Sequence, residues 1–408
     1  MSDKIVVRIP PSPTGNLHIG TARTALFNYL FAKKNNGKVL LRSEDTDTER
    51  SKKEFEDNIL EALEWLGIKH DGELVRQSER GEIYKKYLKT LLDNGSAYIS
   101  KEESLEEGQP TSPRLRGPRR DEVIRFKNPN KKVVFDDLVR GQVEFDTTDL
   151  KDFVIAKSEE EPLYHLAVVV DDAEFGVTHV IRGEDHISNT PRQILIQEAL
   201  GFQRPLYAHI PLILAPDRSK LSKRHGATAV TDYKQKGYLP EAMVNYLALL
   251  GWNPGTDQEI FTMNELIKEF DINKIQKGGA IFDEKKLDWV NKEHIKRLPE
   301  DVQKAMKIKE AEALSYIKTR PTISADELVW KDTSREDTLR HLEHIKTLIG
   351  SDSAIMEYAE QAGKGSVLWP LRYALSGERA SPDPFTLMEV LGKEESLARI
   401  SSAIEVLK

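Results

Sequence analysis

An α/β fold built on a parallel sheet, with a β-rich insertion and an all-helical C-terminal region, is what this sequence predicts. Three observations carry the prediction. Strand-like and helical periodicities alternate from Ile5 to Leu66, a basic, proline-containing stretch breaks that alternation after about Asn94, and helical patterns dominate after about Asp232.

Taken in order, Ile5–Ile9 reads as a short apolar strand, and the prolines and glycine of Pro10–Gly15 then exclude regular structure. From Leu17 to about Lys33 the residues Ala22, Leu26, Tyr29 and Leu30 recur at helical spacing. Val39–Arg42 is a second strand, and Phe55, Ile59, Leu63 and Leu66 place one apolar face on a second helix that stops at Gly67. Residues 113–132 carry eight Arg or Lys against two acids. Val123–Phe126 within this stretch, and Val133–Phe135, Val143–Phe145 and Phe153–Ala156 beyond it, read as antiparallel strands of a separate insertion. Leu163–Val170 and Val177–Arg182 are expected to return to the parallel sheet as strands, followed by a helix from Pro191 to Leu200. Segments 1–94, 95–160, 161–231, 232–297 and 298–408 follow as domain divisions.

The chain of 408 residues is 39% hydrophobic and 31% charged, the composition of a soluble globular protein. No uninterrupted apolar run exceeds five residues, as in Leu166–Val170, whereas a membrane helix needs about 20. No membrane association is expected, and the cytoplasm is the expected compartment. The absence of cysteine excludes a thiolate nucleophile and Cys-ligated zinc. A net charge of −7 leaves no global field to attract nucleic acid, so such a partner must be held by local basic patches.

Two short motifs carry chemistry. A strand, a Pro/Gly turn and a helix start form an anion site, because exposed helical N–H groups and the helix dipole both favour phosphate. Gly15 and Gly20 have P-loop spacing, but Thr21 stands where that motif needs lysine, which rejects an ordinary NTPase. His18 at the helix start either meets phosphate oxygens or merely caps the helix, and Gly20 lets a nucleotide approach the backbone. The second motif, Lys220–Gly226, packs Lys220, Lys223 and Arg224 into five positions, enough to neutralise charge developing on a triphosphate.

Together these motifs resemble the HIGH and KMSKS signatures of class I aminoacyl-tRNA synthetases. More narrowly, Arg8–Thr21, Arg42–Asp47, Tyr164–Ala167, Val180–His186 and Lys220–Gly226 resemble the glutamyl-tRNA synthetase family, in that family's order. The stretch from Trp369 to Gly377 resembles the end of its anticodon-binding domain. The resemblance implies a Rossmann-type catalytic domain, an acceptor-stem insertion at 95–160, a stem-contact region at 232–297 and a shortened α-helical anticodon-binding domain at 298–408.

It also implies activation of L-glutamate with ATP, magnesium arriving with the nucleotide, and transfer to the 3′ end of tRNA(Glu) by a monomer. His18 and Lys223 are then the catalytic groups. Arg8, Ser12, Glu44, Tyr164 and Arg182 match the glutamate pocket, Arg8 gripping the side-chain carboxylate and Glu44 facing the ammonium. Thr14, His18, Gly20, Asp185, Ile213, Lys220 and Lys223 match ATP contacts. Arg50, Arg114, Arg116, Arg119, Arg120 and Arg372 are expected to face tRNA. No zinc and no resident metal are expected; Asp45 and Asp47 have only i, i+2 spacing to suggest one. A competing reading pairs Arg8 with Glu44 as a plain strand-end salt bridge. Others make the chain a tRNA-base-modifying paralogue, which should end near residue 300, a synthetase that also charges tRNA(Gln), or a tRNA-binding module without catalysis.

Overall fold

Four residues, the last three of them buried, make the first strand, β1 (Val6–Ile9), in a computed structural model that describes residues 4–47, 49–101, 122–221, 229–298, 320–331, 333–379 and 381–408. Helix α1 (Ile19–Lys34) returns the chain to β2 (Lys38–Ser43), which pairs in parallel with β1 in the register Val7 to Val39 and Ile9 to Leu41. Helix α2 (Lys53–Trp65) buries Ile59, Ala62 and Leu63 and ends on Gly67, whose φ of +68° is the left-handed conformation that stops a helix without Cβ strain. The two-residue β3 (Val75–Arg76) then adds in parallel to β2, and α3 (Gly81–Asp93) follows.

The next region is less separate than the sequence suggests. Strands β4 (Ala97–Lys101), β5 (Glu122–Phe126), β8 (Phe153–Ser158) and β9 (Glu161–Pro162) form one antiparallel sheet, as expected. The hairpin of β6 (Lys132–Asp137) and β7 (Gly141–Asp146) instead joins strands that come later in the chain. Leu163–Val170 corrects a second expectation: it lies in a helix, α4 (Tyr164–Glu174), not a strand. Leu166 to Val170 are all buried there, and a helix buried all round loses the periodicity that would separate it from a central strand.

β10 (His179–Gly183), α5 (Thr190–Ala199) and β11 (Leu206–Ile210) make a second parallel strand–helix–strand unit, with sheet order β10-β11-β6-β7. Thr178, just ahead of β10, donates its N–H to the Val6 carbonyl at 2.9 Å, which sets β1 beside this second half. One core joins the pieces: Tyr84 and Leu88 of α3, Phe126, Phe135 and Ile155 of the insertion, and Val169, Ile194 and Tyr207 of the second half. Each such fully buried side chain contributes about 1.5–3 kcal/mol relative to exposure, which ties the base of the insertion to the second parallel unit. The rest of this unit comprises β12 (Ile213–Leu214), α6 (Val230–Gln235), α7 (Pro240–Leu249), α8 (Met263–Glu269), β13 (Ala280–Ile281) and the start of α9 (Glu284–Ile295).

By its contacts the chain forms two compact units, 1–235 with 240–287 and 236–239 with 288–408. Among its described residues the second contains α10 (Ala325–Leu328), α11 (Arg335–Leu348), α12 (Asp352–Ala362), α13 (Lys364–Ser376) and α14 (Pro384–Leu407), the last broken at Gly392. Leu342, Ile345, Ile355, Leu371, Leu387 and Ile400 fill its core. No described helix is long and apolar enough to cross a membrane.

Candidate active site

The turn after β1 presents its backbone to the neighbouring strand. Pro11 accepts the Glu44 N–H at 2.9 Å and Pro13 accepts the Lys52 N–H at 3.0 Å, so residues 10–14 lie beside the end of β2. Ser12 and Thr14 are exposed on that turn. His18 caps α1: its backbone is extended and its Nδ1 accepts the Gly20 N–H at 3.0 Å. Capping, one of the two roles open to His18, is therefore realised, and it orients the ring at the helix N-terminus where an anion gains most from the dipole. A Cβ added to Gly20 would meet only the His18 ring within 4 Å, so the approach to this backbone is open.

The second signature returns to the same place. Leu221 donates its N–H to the Ile213 carbonyl at 3.1 Å, and beyond the loop Val230 donates to the Leu17 carbonyl at 2.9 Å. His18 and Ala229 form an antiparallel bridge. Asn58 reinforces the junction, accepting the Leu17 N–H through Oδ1 and donating through Nδ2 to Thr231. Lys223 and Arg224 lie outside the described residues, but the chain on both sides of their segment is fixed next to β12 and α1. Lys220 at its start pairs with Asp185 at 2.8 Å. That pairing overcomes partial burial and holds the Asp185 carboxyl below the ordinary range. Ile213 is buried in β12.

The ends of β1 and β2 carry a buried ionic cluster. Arg8, 2% exposed, donates Nε to Asp172 at 3.3 Å. Arg42 reaches Asp172 at 2.7 Å and Glu44 at 3.1 Å, and lies 3.7 Å from Asp171. Asp171 is itself held by Gln77, Arg80 and Tyr84. Arg8 therefore pairs with Asp172, not with Glu44. Burial alone would raise the Asp172 pKa, but Arg8 and Arg42 outweigh it and hold the carboxylate ionised. For Glu44 the balance tips the other way: burial pushes it up against the pull of Arg42 and Arg8. The NH1 nitrogen of Arg8 is buried and has no hydrogen-bond partner among the described residues.

Arg182, at the end of β10, is close enough to act on Asp172 and Tyr164. Its Nε donates to His209 Nε2 at 3.2 Å and NH2 donates to the Thr190 hydroxyl at 2.8 Å, while NH1 is again buried without a partner among the described residues. Tyr164 opens α4 with its hydroxyl 3.2 Å from His186 Nδ1. Burial first, then Arg182, lowers the His186 pKa to about 4, so this imidazole is neutral at pH 7. The Tyr164 hydroxyl is pushed up by burial and by Glu44, while Arg8 and Arg182 pull against the shift. Arg8, Arg42, Glu44, Tyr164, Asp172 and Arg182 thus act on one another within a single charged pocket. A buried guanidinium N–H without an acceptor is costly; Arg42 Nε also lacks a hydrogen bond but lies 3.7 Å from the Asp171 carboxylate, whereas the free nitrogens of Arg8 and Arg182 suit an anion.

Other expected contacts are dispersed. Asp45 accepts from Ser78 at 2.6 Å and Asp47 from Arg50 at 2.7 Å, so each acid answers a different partner, and the exposed Arg50 is engaged by Asp47. Arg114, Arg116, Arg119 and Arg120 lie outside the described residues. In the second unit Trp369 donates to the Glu327 carbonyl at 2.9 Å and meets Trp330 at 4.9 Å between ring centroids. The Arg372 guanidinium lies 4.9 Å from the Trp369 ring.

Comparison with known proteins decides the family. The catalytic-domain model described as tRNA synthetases class I (E and Q) matches residues 4–123 and 115–289, and an anticodon binding domain matches 273–404. The chain is 42% identical to a glutamate–tRNA ligase of Carboxydothermus hydrogenoformans, covering 97% of this chain and 98% of the relative. It belongs to the glutamate–tRNA ligase family. A second relative, from Desulforamulus reducens, is 38% identical over 98% of this chain and 100% of its own. A crystal structure of a glutamate tRNA ligase from Elizabethkingia meningosepticum in complex with its amino acid superposes with a TM-score of 0.70 at 32% identity, covering both chains fully. The Carboxydothermus alignment runs over 472 positions against the 408 residues here.

Sequence reasoning missed Arg42 as a pocket residue, along with Asp172, Asp137, Thr190 and His209. Arg42 and Asp172 sit beside residues that were singled out, but charged neighbours of a motif carry no periodicity, and only the strand register brings them into contact. His209 had no local signal at all.

Proposed function

We propose that this chain activates L-glutamate with ATP and transfers it to the 3′ end of tRNA(Glu). The observation that carries the pocket assignment is the pair of buried guanidiniums, Arg8 and Arg182, each with an NH1 that lacks an acceptor among the described residues. Glutamate supplies two carboxylates, and each can accept from one of them. The Glu44 carboxylate at the edge of the same cluster suits the substrate ammonium, which in turn would favour its ionised form. Ser12 and Tyr164 complete the pocket.

The chemistry asks no side chain to be a nucleophile. A carboxylate oxygen of glutamate attacks the α-phosphorus of ATP, pyrophosphate leaves, and a ribose hydroxyl of the terminal tRNA adenosine then attacks the acyl carbon and releases AMP. The enzyme supplies orientation and charge neutralisation. His18 and the open Gly20 backbone receive the nucleotide at the start of α1, with Thr14, Asp185, Ile213 and Lys220 around it. Magnesium accompanies the nucleotide as part of the substrate. Lys223 neutralises charge on the phosphates as pyrophosphate departs.

The basic run holding Arg114, Arg116, Arg119 and Arg120 contacts acceptor-stem phosphates, with Arg50 near the 3′ end. Arg372, supported on Trp369, faces the anticodon side, and the working unit is a monomer. Aminoacylation of purified tRNA(Glu) and tRNA(Gln), each with glutamate and glutamine, tests the proposal. Charging of tRNA(Glu) with glutamate is expected. Failure to charge either tRNA with glutamate would overturn it, and charging of both would widen the specificity to a non-discriminating enzyme.

A further inference from the structure

His209 belongs to neither signature, yet it touches the substrate-facing arginine. It lies in β11 and is fully buried, between Arg182 on β10 and Asp137 at the end of β6. Asp137 Oδ2 is 2.6 Å from His209 Nδ1, and the same carboxylate accepts the His209 backbone N–H at 3.1 Å. Its Oδ1 also accepts the N–H groups of Val139 and Arg140, at 2.9 and 2.8 Å. Burial would raise the Asp137 pKa, but these bonds and His209 hold it down, so Asp137 is a carboxylate and a pure acceptor. The proton shared with it therefore sits on His209 Nδ1. That leaves Nε2 with a lone pair, aimed at Arg182 Nε 3.2 Å away and at the Thr190 hydroxyl 3.0 Å away.

The consequence for Arg182 is geometric. Nε is fixed by His209 and NH2 by Thr190, so the planar fork has one orientation and NH1 is the nitrogen left over. The Tyr207 ring lies against the guanidinium, 5.8 Å from its carbon, and stacks at 14° on the His209 ring.

We propose that the Asp137–His209 pair positions Arg182 and thereby sets the affinity of the pocket for glutamate. The inference rests on the assignment of Arg182 to the glutamate pocket. It gives the base of the β6–β7 hairpin, a part of the insertion, a role in amino-acid selection.

A protonated His209 could no longer accept from Arg182. Two N–H donors would face each other, and two cations would be adjacent in a dry site. The groups facing His209 are Asp137 and Arg140 from the hairpin, Arg182 from β10, and His186 from the turn before α5. Burial chiefly, with Arg182 and Arg140, lowers the His209 pKa in spite of Asp137, so the neutral form holds through the physiological range. As pH falls through that lowered value, Arg182 loses its acceptor and glutamate affinity falls, while ATP affinity does not follow.

The test measures KM for L-glutamate and for ATP between pH 5 and 8, with tRNA(Glu) present, in the wild type, His209→Gln and His209→Phe. The wild type is expected to lose glutamate affinity on the acid side. His209→Phe, which has no acceptor, should raise the glutamate KM roughly 10-fold or more at pH 7.5 with the ATP KM within about two-fold. His209→Gln offers a neutral amide oxygen, so it should recover most of that affinity. A glutamate KM for His209→Phe within about two-fold of the wild type at pH 7.5, a His209→Gln variant no better than His209→Phe, or equal rises in both KM values, would overturn the positioning role. If the Phe variant does not fold, Asp137→Asn, which removes the carboxylate that holds the proton on His209 Nδ1, supplies the second readout: a glutamate KM unchanged at pH 7.5 overturns the proposal. Absence of glutamate activation by the wild type would instead reject the function on which this rests.

Discussion

Replacing Arg8 by alanine separates substrate recognition from fold stability. Stranding one partner of a buried ion pair costs about 3–5 kcal/mol. Here Asp172 would keep Arg42 at 2.7 Å, so removing Arg8 does not leave an uncompensated carboxylate. The main loss falls on the ligand. A charge-assisted hydrogen bond to the glutamate side-chain carboxylate is worth about 1.5–3 kcal/mol, equivalent to roughly 10- to 150-fold in affinity. Glutamine presents an amide there and never gains that bond in full, so its KM should change far less. Arg8→Ala is therefore expected to raise the glutamate KM steeply, leave the ATP KM nearly unchanged, and reduce the glutamate-to-glutamine ratio of kcat/KM by a similar factor. Aminoacylation of tRNA(Glu) with each amino acid gives the ratio, and a thermal melt of the same preparation checks the fold. A glutamate-to-glutamine ratio within about two-fold of the wild type would refute the pocket assignment.

Other expected outcomes follow from the same structure. Lys223→Ala should slow glutamyl-adenylate formation by roughly 10²-fold in single-turnover assays with little change in glutamate affinity; an unchanged rate removes Lys223 from the catalytic groups. Neutralising Arg114, Arg116, Arg119 and Arg120 together should weaken tRNA binding and flatten its dependence on salt, and a retained wild-type slope would make that stretch a solvated loop. Gly377 ends α13 at φ +71° and an added Cβ would collide with Pro321, so Gly377→Ala should destabilise the second unit by about 1–3 kcal/mol in thermal unfolding, where an unaltered melt would contradict the reading.

The strand–helix alternation of the first half was readable because β1 and β2 are short apolar runs and α2 has one apolar face. α4 was not, because a helix buried on every side and a central strand present the same unbroken run of Leu, Ala and Val. The two signatures were readable as local strings. The pocket between them was only half readable. Arg8, Glu44, Tyr164 and Arg182 stood in recognisable surroundings, while Asp172 and His209 acquire their roles from contacts across the fold, 164 residues away for Arg8 and 27 for Arg182. The capping role of His18 was visible as one of two alternatives, since a residue at a strand–helix junction is placed by its neighbours alone.

The bond between Thr178 and Val6 also has a meaning for synthesis. One edge of β1 waits for a partner 172 residues further along the chain. At the 5–20 residues per second of translation, that wait is on the order of ten to thirty seconds. During it an apolar strand with an open row of backbone donors and acceptors faces solvent, the arrangement most apt to pair with another nascent chain. A fragment that stopped short of Thr178 would carry the whole first signature, including Arg8 and His18, yet present it on an unfinished sheet. Such a truncation should be recovered in aggregates or bound to chaperones, and not as a small soluble domain.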